Sequence, residues 1–258
     1  MEFLKANLIN TTTQLSVTNN TGTIANIFSR DPYFQYYTDG MNNDATTASI
    51  TVTFSEATIV SRIAIIDTNL KDFTIFYNGS TANTFSLTTT GSTISSAFTG
   101  SAEEGIYLRF SSLTVSSITI DMKSTQTANQ EKRLGLLVVS DLYLSLSQLP
   151  SASNYKPTET PKQIVHTLSD GGTRIHNVRK KKDVTISLDY VSTTLRDSIR
   201  DIYDLNTAFI FCPFGTTTSW DSFIFEGVWP GSFDFYEYSD NATVSGFSGK
   251  IKLKETPT

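Results

Sequence analysis

One cysteine and two histidines are all that this 258-residue chain offers of the side chains that most often do chemistry at neutral pH. A single cysteine, Cys212, excludes an intramolecular disulfide. It lies in Ala208-Phe209-Ile210-Phe211-Cys212-Pro213 and reads as a small buried hydrophobe. His166 lies in Ile164-Val165-His166-Thr167-Leu168 and His176 in Arg174-Ile175-His176-Asn177-Val178, which suggests one hairpin and no catalytic pair. One cysteine and two poorly spaced histidines make no zinc site. The Gly-x-Ser-x-Gly, His-Glu-x-x-His, Gly-x-x-x-x-Gly-Lys and Gly-x-Gly-x-x-Gly patterns are all missing. The expectation is a protein that is not an enzyme and uses no cofactor or metal.

Other features are scarce too. No run approaches the roughly 18 apolar residues of a membrane span. The net charge of −5 comes without an acidic or basic tail, so nucleic-acid sequence recognition is not expected. The basic run Arg179-Lys180-Lys181-Lys182 reads first as a solvated loop or strand end. Met1-Glu2-Phe3-Leu4-Lys5 opens no signal-peptide pattern, so synthesis in a cytoplasm and no Sec export are expected. No helical periodicity of useful length appears before residue 190.

What remains is strand. Charged residues make up 17% and apolar residues 38%, too little charge for a disordered chain and enough apolar surface for packed sheets. Phe73, Ile75 and Tyr77 share one face of a period-two segment, as do Ile106, Leu108 and Phe110 opposite Tyr107 and Arg109. Ile118, Ile120 and Met122 alternate with Ser117, Thr119 and Asp121, and Ile59 to Asp67 is apolar enough for a central strand. Asn78-Gly79 is a strong hairpin turn. Residues 147–162 hold Pro150, Pro157 and Pro161, three of the seven prolines, and read as a linker or extended crossing segment. Beyond it Val184, Ile186, Leu188 and Tyr190 alternate. A helix over 194–206 follows, with Thr194 as N-cap, Leu195, Ile199, Ile202 and Tyr203 on one face, and Asn206 at its end. Ile251 and Leu253 alternate with Lys250, Lys252 and Lys254 in a last strand. The fold class is mainly β: an N-terminal jelly-roll β-sandwich over 1–146, the linker, and a β-barrel or sandwich over 163–258 with one flanking α-helix.

Three clusters invite a ligand. Asp31 to Gly40 is rich in tyrosine, and loops at the end of a sandwich carry binding function, so Tyr36, Tyr37 and Asp39 are the ligand-binding candidates. Asp221, Glu226, Asp234 and Glu237 sit among aromatics, as a glycosidase would need, or as alternating core and solvated positions would give. Asp39, Asn42, Asn43 and Asp44 could bind calcium, although their spacing is not that of an EF-hand loop.

The first ~146 residues resemble the discoidin, or galactose-binding-like, sandwiches. The resemblance is carried in order by Ala6-Asn7-Leu8-Ile9, Ala25-Asn26-Ile27-Phe28, Tyr36-Tyr37-Thr38-Asp39-Gly40, residues 49–55, 59–69 and 72–77, and Arg133 to Val139. The sequence departs from that family in lacking a tryptophan after the Asp-Gly turn and the cysteine pair of secreted members. The C-terminal ~100 residues resemble the tail-tube-like domain of phage tail and baseplate hub proteins. That pattern is carried by Asp170-Gly171-Gly172-Thr173-Arg174, residues 182–190, the helix, Ala208 to Pro213, Trp229-Pro230-Gly231-Ser232-Phe233 and Ser248 to Leu253. The resemblance implies a homo-oligomeric ring in a virion tail, assembled in the host cytoplasm beside other tail and baseplate proteins. The sandwich would then serve assembly or contact a host glycan. A long hairpin over roughly 163–190 would expose edge strands, with Arg174, Arg179, Lys180 and Lys181 as inter-subunit contacts. The competing readings are a stand-alone carbohydrate-binding lectin-like protein and a glycoside hydrolase or its accessory.

Overall fold

The computed structural model describes residues 1–29, 34–85, 95–97, 105–146, 154–169, 171–213, 223–238 and 246–256. The first strands in chain order are β1 (Glu2–Leu4), β2 (Leu15–Val17), β3 (Tyr36–Tyr37), β4 (Ala48–Thr68) and β5 (Leu70–Tyr77). Next come β6 (Ser80–Thr84), β7 (Ser95–Ala97), β8 (Ile106–Thr125), β9 (Arg133–Ser140) and β10 (Leu142–Ser145). A long pair follows, β11 (Tyr155–Thr167) and β12 (Thr173–Val191), then the helix α1 (Thr193–Asp204). The last strands are β13 (Phe209–Cys212), β14 (Phe225–Val228), β15 (Asp234–Tyr238) and β16 (Gly246–Glu255). The chain is therefore mainly β with one α-helix among the described residues.

Two units share this chain. The first is Leu4–Leu142, built on the order β3-β9-β4-β8-β5-β6, with β2 on β4 and β7 on β5. Its long strands β4 and β8 change partners along their length. The first part of β4 pairs β2 and the second part pairs β9, while β8 follows both parts across register shifts at Thr53/Thr58 and Val60/Arg62. Such shifts bend a strand and raise its twist, so one ladder serves both layers of a sandwich. The alternation read from sequence sets the interior: Ile118, Ile120 and Met122 are fully buried with Ile50, Ile63 and Val139. Each such side chain contributes about 1.5–3 kcal/mol by leaving water. Tyr107 is an exception to the one-sided pattern, because it is buried on the face opposite Leu108. Asn78 and Gly79 both have positive φ, 53° and 68°, as a tight hairpin between β5 and β6 requires.

The second unit gathers Met1–Phe3, residues from Tyr143 to Pro213 and residues from Phe223 onward. Its sheet runs β10-β1-β13-β14-β16-β12-β11, with β15 also on β16. The first strand thus belongs with the C-terminal unit. Phe3 packs on Phe209 and Phe211 at ring separations of 5.6 and 5.3 Å, and Leu146 N donates to Met1 O at 2.9 Å. An N-terminal domain over 1–146 therefore contracts to Leu4–Leu142. Three residues are too few to show a period, so sequence alone did not reveal this.

Three further differences have local causes. Much of the proline-bearing segment is strand, since β11 starts at Tyr155 and pairs Pro157 with Val184 and Pro161 with Lys180. It ends the sheet order, and an edge strand tolerates residues that lack a backbone donor. On β12, Val184, Ile186 and Leu188 are buried, but Tyr190 is 78% exposed with φ 61°. A register shift between Leu188 and Val191 turns Tyr190 outward and gives its place to Val191. The helix begins at Thr193 and its N-cap is Ser192, whose Oγ accepts from Leu195 N at 3.2 Å, so Thr194 is not the cap. Ile199 and Ile202 are buried as the helical spacing predicts, and Asn206 takes φ 48° just past the end.

Candidate functional site

Adjacent residues on a strand face opposite ways, and β3 divides its two tyrosines accordingly. Tyr36 is fully buried and its hydroxyl donates to Asn19 O at 3.1 Å. Burial pushes its phenol up to about 12. Tyr37 faces outward and is 43% exposed. It opens onto a cleft of about 480 Å³ lined by Tyr37, Asn42, Asn69, Asn129, Gln130, Glu131 and Arg133. Asp39 is exposed but does not line this cleft. Of the three ligand candidates, Tyr37 alone is placed there; Tyr36 is core and unavailable to a ligand.

The cleft is held by strand pairing and by side-chain bonds to backbone and to other side chains. β3 pairs β9 with Tyr36 opposite Leu134 and Tyr37 opposite Arg133. Asn69 binds both sides of the β8–β9 connection, donating from Nδ2 to Glu131 O and accepting Arg133 N at Oδ1, each at 2.8 Å. Glu131 Oε1 accepts Gly40 N at 3.0 Å. The Arg133 guanidinium stands 3.7 Å from the Asp67 carboxylate, which also accepts from Gln35 Nε2. Asn129 takes φ 58°, a left-handed position that asparagine tolerates, and its Oδ1 accepts Asp44 N at 3.2 Å.

This arrangement suits a polyhydroxylated ligand. Four of the seven lining residues are amides, each with donors and an acceptor in one group. A carboxylate and a guanidinium extend that inventory, and the Tyr37 ring supplies an apolar face. The run Asn129-Gln130-Glu131 was not singled out in the sequence. Its signal was weak: an amide and acid cluster between two strands, far in the chain from Tyr37.

The four residues considered for calcium are otherwise engaged or apart. Asp44 Oδ1 accepts from Thr125 N and Oγ1, both at 3.3 Å, and Asn43 Oδ1 accepts from Ala45 N at 2.8 Å. The carbonyls of Met41 and Asn43 receive the Lys132 ammonium, each at 3.2 Å. No group of three or more histidine, cysteine, aspartate or glutamate side chains among the described residues could hold a metal ion.

In the second unit the basic candidates lie along one hairpin. Arg174 is exposed opposite His166, Lys180 pairs with Glu159 at 3.0 Å, and Lys181 is half-buried opposite Thr160. Arg179 falls in β12 opposite Lys162, with its side chain outside the described residues, as is that of His176. Asp221 also lies outside the described residues. Glu226 sits on β14, while Asp234 and Glu237 are exposed on β15, where Asp234 Oδ1 accepts from Ser232 Oγ at 2.5 Å. Cys212 is buried.

No protein-family model matches the chain, and no curated protein does. Among solved structures, the chain is similar to a chitosan-binding module of a chitosanase/glucanase from Paenibacillus sp. IK-5. That match has 12% identity, 54% of this chain and 99% of that one covered, and a TM-score of 0.39. A pectin-binding carbohydrate-binding module matches at 16% identity, covering 53% and 92%, with a TM-score of 0.36. The CBM32-1 and CBM32-2 domains of Clostridium perfringens ZmpB, in complex with GalNAc, match at 11% identity, covering 99% and 88%, with a TM-score of 0.39.

Proposed function

We propose that this protein binds a glycan in the Tyr37 cleft and does so without turning it over. The observation that supports this is the lining itself: one exposed aromatic ring beside Asn42, Asn69, Asn129, Gln130, Glu131 and Arg133. A ring face and paired amide donors and acceptors are what a sugar's apolar face and hydroxyls require. The test is a glycan array on the whole chain, followed by calorimetry with the best hit. Tyr37→Ala should weaken binding at least tenfold, about 1.4 kcal/mol, at an unchanged melting temperature. No array signal, or a hit indifferent to Tyr37→Ala, would overturn the reading.

A second reading concerns the other unit and is favoured by β11 and β12. Among the described residues, Thr173 to Lys182 of β12 pair only with β11, whereas Asp183 onward also pairs β16. That leaves a two-stranded arm, which is marginal in water by itself. Val165 and Ile175 are each 57% exposed on it. Residues 155–183 carry seven Lys or Arg and three Asp or Glu, net +4, so the rest of the chain, within a total of −5, carries −9. A basic arm and an acidic remainder suit a second copy of the same chain. On this reading the protein is a structural component of a phage tail or related injection machine. Copies join through the arm in a ring beside other tail proteins in the virion, and the sandwich contacts host glycans.

A further inference from the structure

We infer that the Lys132 ammonium is the built-in cation of the turn from Thr38 to Asp44, and that Lys132 is a positioning residue for the cleft. The first half stands on the turn alone; the second rests on the glycan reading above. Lys132 directly precedes β9 and lies two residues before Leu134, so both point inward while Arg133 between them points the other way. It has no solvent exposure. An apolar residue is the ordinary occupant of such a place, because a buried ammonium is costly unless its donors are met.

Here two of its three donors are met by carbonyls of that turn, where Asn43 O also accepts Thr46 N at 3.0 Å and Met41 O also accepts Thr38 Oγ1 at 3.4 Å. The turn belongs to no strand, so its carbonyls have no ladder to bond into and draw on local donors. Lys132 Nζ donates to Met41 O and to Asn43 O at 3.2 Å. The Asp44 carboxylate contributes an attractive charge that partly offsets the burial pushing this ammonium below the usual lysine value. Asp44 is itself fixed by Thr125 and by Asn129. The lysine backbone pins the start of the same turn: Thr38 N donates to Lys132 O, and Lys132 N donates to Thr38 Oγ1, both at 3.0 Å. Two carbonyls and a carboxylate are the oxygen set a hard cation takes, and in this chain a side chain supplies the charge. Tyr37 stands at one end of the turn and Asn42 inside it, and both line the cleft. Lys132 lines no part of it.

The experiment uses three full-length proteins: wild type, Lys132→Met and Lys132→Ala. Lys132→Met keeps most of the volume and removes the charge. The readouts are the rate of proteolysis within residues 38–46 and, separately, calorimetry with an array hit. Lys132→Met should be cut there at least tenfold faster than wild type while the rest of the sandwich stays resistant. Millimolar propylammonium should restore protection to Lys132→Ala, and propan-1-ol, equal in shape and neutral, should not. Wild-type protection in Lys132→Met, or equal rescue by the alcohol, would overturn the cation role. If Lys132→Ala fails to fold, the Met variant decides alone. Where a glycan binds wild type, its affinity should fall and recover in step with loop protection; affinity indifferent to Lys132→Met would overturn the positioning role. Absence of any glycan hit would count against the cleft reading and leave the proteolysis result standing.

Discussion

Tyr36 donates its phenolic hydroxyl to the carbonyl oxygen of Asn19 at 3.1 Å from a side chain that water does not reach. Ionising that phenol in place would strand a charge in the core, which is why its value is pushed up to about 12. The unfolded chain titrates near 10. A value raised on folding means stability intact below about 10 and lost as the pH climbs from there through about 12. The full loss is roughly 2–3 kcal/mol at 1.36 kcal/mol per unit. Tyr36→Phe should cost about 0.5–1.5 kcal/mol near neutrality through the missing hydrogen bond. Its stability should then fall less steeply than wild type between pH 10 and 12. Urea unfolding across that range, taken as the difference between the two proteins, checks this; parallel curves would refute it.

The carboxylate of Asp141 gives the opposite sign. Burial alone would raise it, but Lys5 Nζ and Ser61 Oγ, each at 2.8 Å, with the Lys5 charge and the Leu142 amide, hold it below the usual carboxylate value. A lowered value on folding gives stability that is present above the unfolded carboxylate's range and lost as the pH falls through the folded value. Asp141→Asn should therefore destabilise the protein near neutrality and flatten the acid limb of its stability curve. Ser61→Ala, which removes one donor, should do the same more weakly. Thermal melts between pH 2 and 7 would show it, and an unchanged acid limb in Asp141→Asn would count against the assignment.

The helix offers a paired test. Ser192 accepts Leu195 N, whereas Thr194 lies inside the first turn and only its carbonyl is used, by Ser198 Oγ at 3.0 Å. Ser192→Ala should cost about 1 kcal/mol. Thr194→Ala should lie within about 0.5 kcal/mol of wild type, as surface substitutions do. Chemical denaturation of both variants separates them, and a larger loss from Thr194→Ala would move the cap back to Thr194, where the sequence pattern had put it.

Where a residue's neighbours in sequence decide its place, the chain was readable. Ile118, Ile120 and Met122 are buried because a strand has a period of two, Ile199 and Ile202 because a helix has a period of 3.6, and Asn78-Gly79 turns because both residues tolerate positive φ. What could not be read depends on partners far along the chain. β1 takes its place from Phe209 and Phe211, two hundred residues away in order of magnitude. Tyr190 turns outward because β16 imposes a register shift on β12. The cleft is assembled from the ends of β3 and β4, the turn holding Asn42 and the β8–β9 connection, so no window of sequence contains it. Tyr36 and Tyr37 look equivalent in composition, and only the pairing of Tyr37 with Arg133 shows which one faces out.

The arm of β11 and β12 carries the remaining prediction. Val165 and Ile175 face each other across the ladder and are both exposed, so an apolar patch is offered at a place where the sheet has no third strand among the described residues. Pro157 and Pro161 withhold backbone donors from the first part of β11, whereas Lys162 to Thr167 contain no proline. If a second copy pairs with this stretch, wild type should self-associate with increasing concentration in light scattering and form closed assemblies under the electron microscope. Val165→Glu with Ile175→Glu should keep the protein monomeric by placing buried like charges at that contact. The melting transition of the C-terminal unit should stay within about a degree, because neither side chain belongs to its core. Raised salt should weaken association of wild type, since part of the attraction is between a +4 arm and a −9 remainder. Association that survives the double substitution would place the interface elsewhere, and a wild type that stays monomeric at high concentration would remove the ring reading while leaving the glycan cleft untouched.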